Sequence, residues 1–307
     1  YLRNKPSIRF YIYLTFFIGT SKVFFIGTND AMFIVSLFIF LNEVYRITIN
    51  KKCKPVLAIS SLIISFFTRE LILVYLPIII LGFVILLSNR QLKLKQMITP
   101  IVVLIICLII NIPSFKLNGK PTYEVKAPPE NVTVNWVQRQ YLAQILVNEG
   151  KLSNYQHPSF METQEYIEKN GENVLPKSLL ESLIFNPELT IKEFFKDSWS
   201  IIYFGSRQLS LILLIVTGFF LFNMKKRSLF NPINYVPFSL LALSLIFALL
   251  IISYVELRWL VPIFISAIVF YSFLEKTNKI NVWLSKLNLS AMILLMIYGV
   301  IKIIPML

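Results

Sequence analysis

Long apolar runs recur along the whole chain. Nine of them can be marked, at about 8–27, 31–47, 55–68, 71–88, 97–113, 207–223, 235–254, 260–274 and 288–305. About 20 apolar residues in a helix cross a hydrocarbon layer about 30 Å thick. A single soluble core does not need nine such stretches. Membrane β-strands would alternate apolar and polar residues, and these runs are continuous. Inside lipid the backbone must satisfy its own hydrogen bonds, which a continuous run does as a helix. Only 15% of the residues are charged, against about a quarter in soluble domains. The pattern predicts an all-α, polytopic transmembrane bundle with about nine spans and one long loop between spans five and six. The run at 55–68 is the shortest, and a re-entrant course also fits it.

Three regions follow. Residues 1–113 form a first transmembrane bundle of about five helices. Residues 114–198 form a loop or cap, and residues 199–307 a second bundle of about four helices. The loop carries 11 of the 16 acidic residues and 9 basic ones. Its "PSFMETQEYIEKNG" and "ELTIKEFFKDSW" pieces predict short amphipathic helices, and "YEVKAPPENVTVNW" an extended or looped course. A stretch of this length is longer than ordinary connections and marks either a functional cap or a solvated insertion.

The net charge of +14 raises the question of a nucleic-acid partner. The positions of the basic residues exclude it. Arg3, Lys5 and Arg9 precede the first run. Arg46, Lys51, Lys52 and Lys54 separate the second and third, and Arg90, Lys93 and Lys95 the fourth and fifth. Lys225, Lys226 and Arg227 follow the sixth, and Lys276, Lys279 and Lys286 the eighth. Basic residues therefore fill alternate loops, the mark of cytoplasmic loops in a membrane protein. The chain is expected to be an integral, multi-pass membrane protein with a cytoplasmic N-terminus and an extracytoplasmic long loop. "Extracytoplasmic" here covers periplasm, cell exterior and ER lumen alike.

Outside the long loop only five acidic residues exist: Asp30, Glu43, Glu70, Glu256 and Glu275. Asp30, Glu70 and Glu256 fall in the three short outer turns, "GTND", "FTRE" and "VELR". Two of these turns add an arginine, Arg69 and Arg258. Arg207 opens the sixth run at the same level, and Lys22 lies about one turn below the outer end of the first. Structural roles are available. Asp30 suits the first turn of a helix, where it complements the dipole, with Thr28 or Asn29 as cap. Trp259 fits an interfacial belt, and Pro262 the first turn of the helix it opens. Short outer loops tend to exclude arginine, however, and here two keep one beside a glutamate. Glu256 and Arg258 face apart on a helix but point the same way in extended backbone. An extended turn presenting both to one cavity is therefore expected.

An arginine fork binds phosphate bidentately and keeps its charge. A carboxylate takes a proton from a hydroxyl or holds a divalent ion. At a membrane surface the matching substrate is a lipid-linked phosphate. The candidates for phosphate contact are Arg258, Arg69, Lys22 and Arg207. Asp30 and Glu256 are accessory catalytic candidates, and Glu70, Asn29 and His157 are candidates for substrate or metal contact. A divalent metal ion is the cofactor this chemistry admits.

"RWLVP" (Arg258–Pro262), opening a late run after Glu256, resembles the Arg-Tyr-x-x-Pro signature of GT-C membrane glycosyltransferases. The relatives are of the protein O-mannosyltransferase and aminoarabinose-transferase type. "GTNDAMF" (Gly27–Phe33) and "FTRELILVYLP" (Phe67–Pro77) are similar to two further segments of that family. The resemblance implies sugar transfer from a polyprenyl-phosphate donor to a glycan, lipid or protein acceptor, within a membrane lipid environment. Trp259 stands where the family usually has Tyr. The resemblance also implies an N-terminally truncated member. Its initial spans and the loop with the catalytic base are expected to be absent from this chain, leaving Asp30 as an accessory acid.

The motifs of several other chemistries are absent. There is one histidine, His157, and no HExxH, CxxC, Walker or GxSxG pattern. Cys53 lies in a cytoplasmic loop and Cys107 mid-helix, so no disulfide joins them. A transporter or flippase for a lipid-linked sugar is the alternative class, but it does not need its arginines on one side. A structural membrane subunit accounts for the hydrophobicity and not for the outer arginines. The charge map has a direct test. Cysteines replacing Lys52, Lys93 and Lys226 should be shielded from an impermeant thiol reagent added outside, and one replacing Lys151 should react. Labelling of Lys226→Cys from outside would overturn the map.

Overall fold

A computed structural model of the chain describes residues 7–21, 30–89, 96–122, 128–129, 131–153, 156–224, 232–250 and 255–303. Every regular element among them is a helix. In order these are α1 (Ile8–Thr20), α2 (Asp30–Thr48), α3 (Pro55–Thr68), α4 (Leu76–Ser88), α5 (Ile98–Ile110), α6 (Ile112–Asn118), α7 (Trp136–Asn148), α8 (Phe160–Asn170), α9 (Leu179–Phe185), α10 (Pro187–Leu209), α11 (Ile212–Met224), α12 (Tyr235–Leu249), α13 (Val261–Lys276) and α14 (Val282–Ile303). Short 3-10 turns at Glu70–Tyr75, Pro232–Asn234 and Leu257–Leu260 lead into α4, α12 and α13. Proline marks several helix starts, in the first turn of α3, α4 and α13. There its missing N–H leaves nothing unsatisfied.

All nine apolar runs contain helix; the run at 55–68 is helical over its whole expected length, and those at 8–27 and 97–113 form shorter helices than expected among the described residues. Among the described residues five helical stretches are long and apolar enough to cross a membrane: Asp30–Thr48, Glu70–Ser88, Pro232–Leu249, Leu257–Lys276 and Val282–Ile301. The bent pair α10 and α11 makes a sixth if counted as one span. The runs at 8–27, 55–68 and 97–113 become helices of 13, 14 and 13 residues. At about 1.5 Å per residue these are shorter than the hydrocarbon layer. Polar residues are the cause at one end: Asn111 caps α5 and Pro113 restarts the chain as α6.

The domain division also differs from the sequence reading. The two apolar halves are one compact unit, comprising Tyr1–Tyr123, Tyr203–Leu243 and Leu257–Leu307. The other unit is Glu124–Ile202 with Ser244–Glu256. In the first unit α13 is the axial helix, with 13 of its 16 residues buried. Its side chains are apolar on all faces, and α1, α2 and α11 pack around it. Ring pairs mark these contacts, Phe17 against Phe264, Tyr13 against Tyr271 and Phe219 against Phe270. α2 and α3 meet through small residues, with the hydroxyls of Ser36 and Ser65 2.8 Å apart. Small residues allow two helix backbones to approach closely where no hydrophobic force drives association.

Two further acidic residues of this unit are paired. Glu43 accepts from the backbone N–H of Lys54 at 2.7 Å and pairs with Arg46, which donates to the carbonyl of Lys52. Glu275 gathers Tyr13 at 2.8 Å, Arg9 at 3.5 Å and the Ser285 hydroxyl. These two carboxylates staple neighbouring helices together.

The second unit has its own small core. Tyr141, Leu142 and Leu175 are buried, and Ile145, Leu146, Tyr166, Ile167 and Leu189 pack on them. Capping boxes set the starts of α7 (Asn135 with Gln138) and α8 (Ser159 with Glu162). On α10, Glu193 and Asp197 lie one turn apart and both are buried. Glu193 is held by Asn148 and Lys196, each at 2.9 Å. Asp197 is 3% exposed. Burial, reinforced by Glu193 and opposed by Lys196, pushes its carboxyl up to about 7. The folded unit thus binds this proton more tightly than the unfolded chain, whose Asp titrates near 3.8. The stabilisation is complete below the unfolded value and is lost as pH rises through about 7. Backbone amides of α10 around residue 197 should exchange more slowly, after correction for intrinsic rates, below about pH 6 than above about pH 8. Asp197→Asn should remove that difference. An equal pH response in the variant would assign it to another group.

Candidate functional site

Three side chains from the turns at 27–30, 67–70 and 255–258 meet in the first unit. Asp30 is the first residue of α2, where a carboxylate complements the helix dipole. Arg69 stands in extended backbone (φ −147°, ψ 138°) between α3 and the 3-10 turn at Glu70–Tyr75. Arg258 lies in the 3-10 turn at Leu257–Leu260. One Asp30 oxygen, Oδ1, pairs with Arg69, and the other, Oδ2, accepts from Arg258 at 2.9 Å. Each carboxylate oxygen therefore holds one guanidinium.

Burial grades this centre. Asp30 is 3% exposed. The Arg69 side chain is 14% exposed and that of Arg258 35%. The three groups together carry one net positive charge, and Arg258 is the face of the cluster open to a ligand. The scaffold comes from Tyr75, which is buried and whose hydroxyl donates to the backbone carbonyl of Trp259. Tyr75 also meets Phe33 edge-on at 6.2 Å, so it touches α2 and the turn before α13 together. Sequence reasoning quoted Tyr75 within "FTRELILVYLP" but gave it no role. A Tyr in the 3-10 turn after Arg69 was the available signal.

The remaining candidates lie elsewhere or follow another geometry. Glu70 pairs with Lys120 at 3.0 Å, a partner that sequence reasoning missed. Lys120 follows the left-handed Gly119 that ends α6, and that turn delivers it. Arg207, expected to open a span, instead lies near the end of α10, and α11 begins only at Ile212. Its guanidinium stacks over Tyr203 and Tyr298, 5.6 Å from each ring centroid. Lys22 and Asn29 lie outside the described residues. The extended turn expected for Glu256 and Arg258 is replaced at Leu257–Leu260 by a 3-10 turn, because Pro262 starts α13 at once and Tyr75 fixes the Trp259 carbonyl. Arg258 turns to Asp30, whereas Glu256 belongs to the second unit, where its charge acts on His157.

His157 sits in that unit beside a cavity of about 390 Å³ with Leu142, Leu146 and Leu152 on its apolar side and Gln156 and Glu162 on its polar side. Partial burial and then Arg139 lower the imidazole pKa, and Glu256 opposes them. Arg139 itself donates to the carbonyl of Pro158 at 2.6 Å and stacks on Phe160.

Among the described residues no three His, Cys, Asp or Glu side chains converge. Each Asp30 oxygen already faces a guanidinium. This arrangement does not fit a divalent ion at Asp30, and no step is drawn through one. No protein-family model, curated protein or solved structure matches the chain.

The triad makes a stability prediction. Removing Asp30 leaves the arginines, Arg69 largely buried and Arg258 partly so, facing each other, whereas removing Arg258 leaves a normal pair. Breaking a buried pair costs about 3–5 kcal/mol. Asp30→Ala should therefore destabilise the detergent-solubilised protein more than Arg258→Ala, in unfolding by a denaturing detergent. In the double variant the two effects should fall short of adding. Strict additivity would mean that the two side chains do not hold each other.

Proposed function

We propose that this chain is part of a GT-C-type membrane glycosyltransferase with about nine spans. In this reading it moves a sugar from a polyprenyl-phosphate donor to a glycan, lipid or protein acceptor on the extracytoplasmic face. One observation carries the reading: Asp30 holds Arg69 and Arg258 side by side with one net positive charge. A polyprenyl-phosphate sugar is a phosphodiester with one negative charge. Transfer breaks the bond between the anomeric carbon and the phosphate oxygen and forms one to the acceptor oxygen. The leaving polyprenyl phosphate then holds a second negative charge. Guanidinium groups fixed in advance stabilise that growing charge more than they stabilise the bound donor, which is what lowers a barrier.

Asp30 acts as a positioning residue here, since both its oxygens are committed to arginines. Arg258 binds the donor phosphate, with Arg69 behind it. The proton leaving the acceptor hydroxyl passes to a base other than the Asp30 carboxylate, and Glu256, in the second unit, is not counted in this centre. Glu70 with Lys120 keeps the adjoining turn neutral. Arg207, stacked on Tyr203 and Tyr298, takes only a supporting place.

The test uses the full-length protein in liposomes with a short-chain polyprenyl-phosphate sugar. A charge-assisted hydrogen bond contributes about 1.5–3 kcal/mol. Arg258→Ala should then slow transfer roughly ten- to a hundredfold, with normal membrane insertion. Arg258→Lys keeps the charge but loses the fork and should also be slowed. Wild-type rates in both variants would reduce Arg258 to a structural anchor. Movement of intact donor across the bilayer without bond cleavage would establish the flippase instead.

A further inference from the structure

The helix α10 presents two opposed faces. On one, Glu193, Asp197, Ile201 and Gly205 recur every four residues and are buried. On the other, Ile191, Phe195, Trp199, Ile202 and Tyr203 are all exposed, Phe195 and Trp199 by about two thirds. Spacings of three and four residues place these side chains on one stripe. The exposed stripe is thus the apolar one, and the charged pair points inward. A water-facing helix has the reverse arrangement.

At its end α10 breaks at Ser210 and Leu211, and α11 leaves at 117° to it. Ser210 holds a left-handed conformation (φ 56°). Both break residues are tied to α14: the Ser210 hydroxyl donates to the Asn288 carbonyl, and the Leu211 N–H to the Asn288 side chain at 3.0 Å. The bend is therefore a built corner. An apolar span leaves one side of it, and on the other an amphipathic helix of 23 residues carries Trp and Tyr on its exposed stripe. Tryptophan and tyrosine concentrate at the boundary between hydrocarbon and water. Amphipathic helices with such a stripe lie in that boundary, apolar face down.

We infer that α10 is an in-plane membrane-surface helix whose Ile191–Phe195–Trp199–Ile202 stripe is embedded in the lipid headgroup boundary, so that the partner of this surface is the bilayer itself. Lys192, which is exposed beside the stripe, can reach phosphate headgroups while its stem lies along apolar surface, whereas Lys196 is held by Glu193. The inference rests on the membrane reading of the chain and is independent of sugar transfer.

The experiment is site-directed spin labelling of the full chain in liposomes. Cys53 and Cys107 are replaced by Ser, and single cysteines are introduced by Phe195→Cys, Trp199→Cys and, for the buried face, Gly205→Cys. Ile80→Cys on the candidate span Glu70–Ser88 is the lipid reference, and Lys151→Cys the water reference. Labels at 195 and 199 should be collided with by oxygen and avoided by an aqueous nickel complex, giving ratios close to that at 80 and several-fold above that at 151. The label at 205 should be shielded from both. Nickel accessibility at 195 and 199 equal to that at 151 would mean a solvated face and overturn the inference. Shielding of 195 and 199 from both reagents would overturn it as well, by placing protein, such as a second copy, on the stripe. If the label at 80 fails to report lipid, the membrane reading falls and α10 with it.

Discussion

One carboxylate shared by two guanidinium groups ties this molecule's first unit together. Asp30 starts α2, Arg69 follows α3, and Arg258 precedes α13. Their turns are separated by up to 228 residues of chain. Taking a lone charge out of water is costly, and an ion pair recovers that cost only when its geometry is good. Here both carboxylate oxygens are used, so the arrangement tolerates little displacement of any of the three helices. Tyr75 adds a neutral contact between the same turns by donating to the Trp259 carbonyl. The exposed part of Arg258 is thus the movable edge of an otherwise fixed centre.

The same economy of charge recurs through the unit. Glu43 is paired with Arg46, Glu70 with Lys120, and Glu275 with Arg9. Each of these acids has a cationic partner at a helix end or turn, where a charge is least expensive for a membrane protein. What distinguishes Asp30 is the excess of cations: it has two where the others have one among these pairs. That excess separates a centre fit for an anionic ligand from structural staples.

The helices were legible because continuous apolar runs leave the backbone no other way to satisfy itself in lipid. Their lengths were less legible. Asn111 and Pro113 cut the fifth run, and the sequence pattern alone did not weigh them against eleven surrounding apolar positions. Asp30, Arg69 and Arg258 stood out in the sequence as charges between apolar runs, but their pairing was not readable. Whether Arg258 turns to Glu256 or to Asp30 depends on a 3-10 turn set by Pro262 and by the distant Tyr75. Arg207 was placed at a span's start because "SRQLSLILL" reads as one boundary. The left-handed Ser210 moves that boundary three residues on. Helix α7 has little apolar periodicity, and its clearest sign was the Asn135–Gln138 capping box rather than its hydrophobic pattern.

The position of α13 in the chain has a consequence for how this protein is made. It is the axial helix of its unit, yet it is synthesised after α1, α2 and α11, which pack around it. Its partners α1 and α2 leave the ribosome more than two hundred residues earlier. Tyr13 and Phe17, both fully enclosed at the end, face Tyr271 and Phe264, which do not yet exist while the rest of the chain is produced. Contacts this distant in sequence form late and leave sticky surfaces waiting. Assembly is therefore a closing of early helices around a late one, and the time between those events is when the nascent protein most needs a caretaker in the membrane.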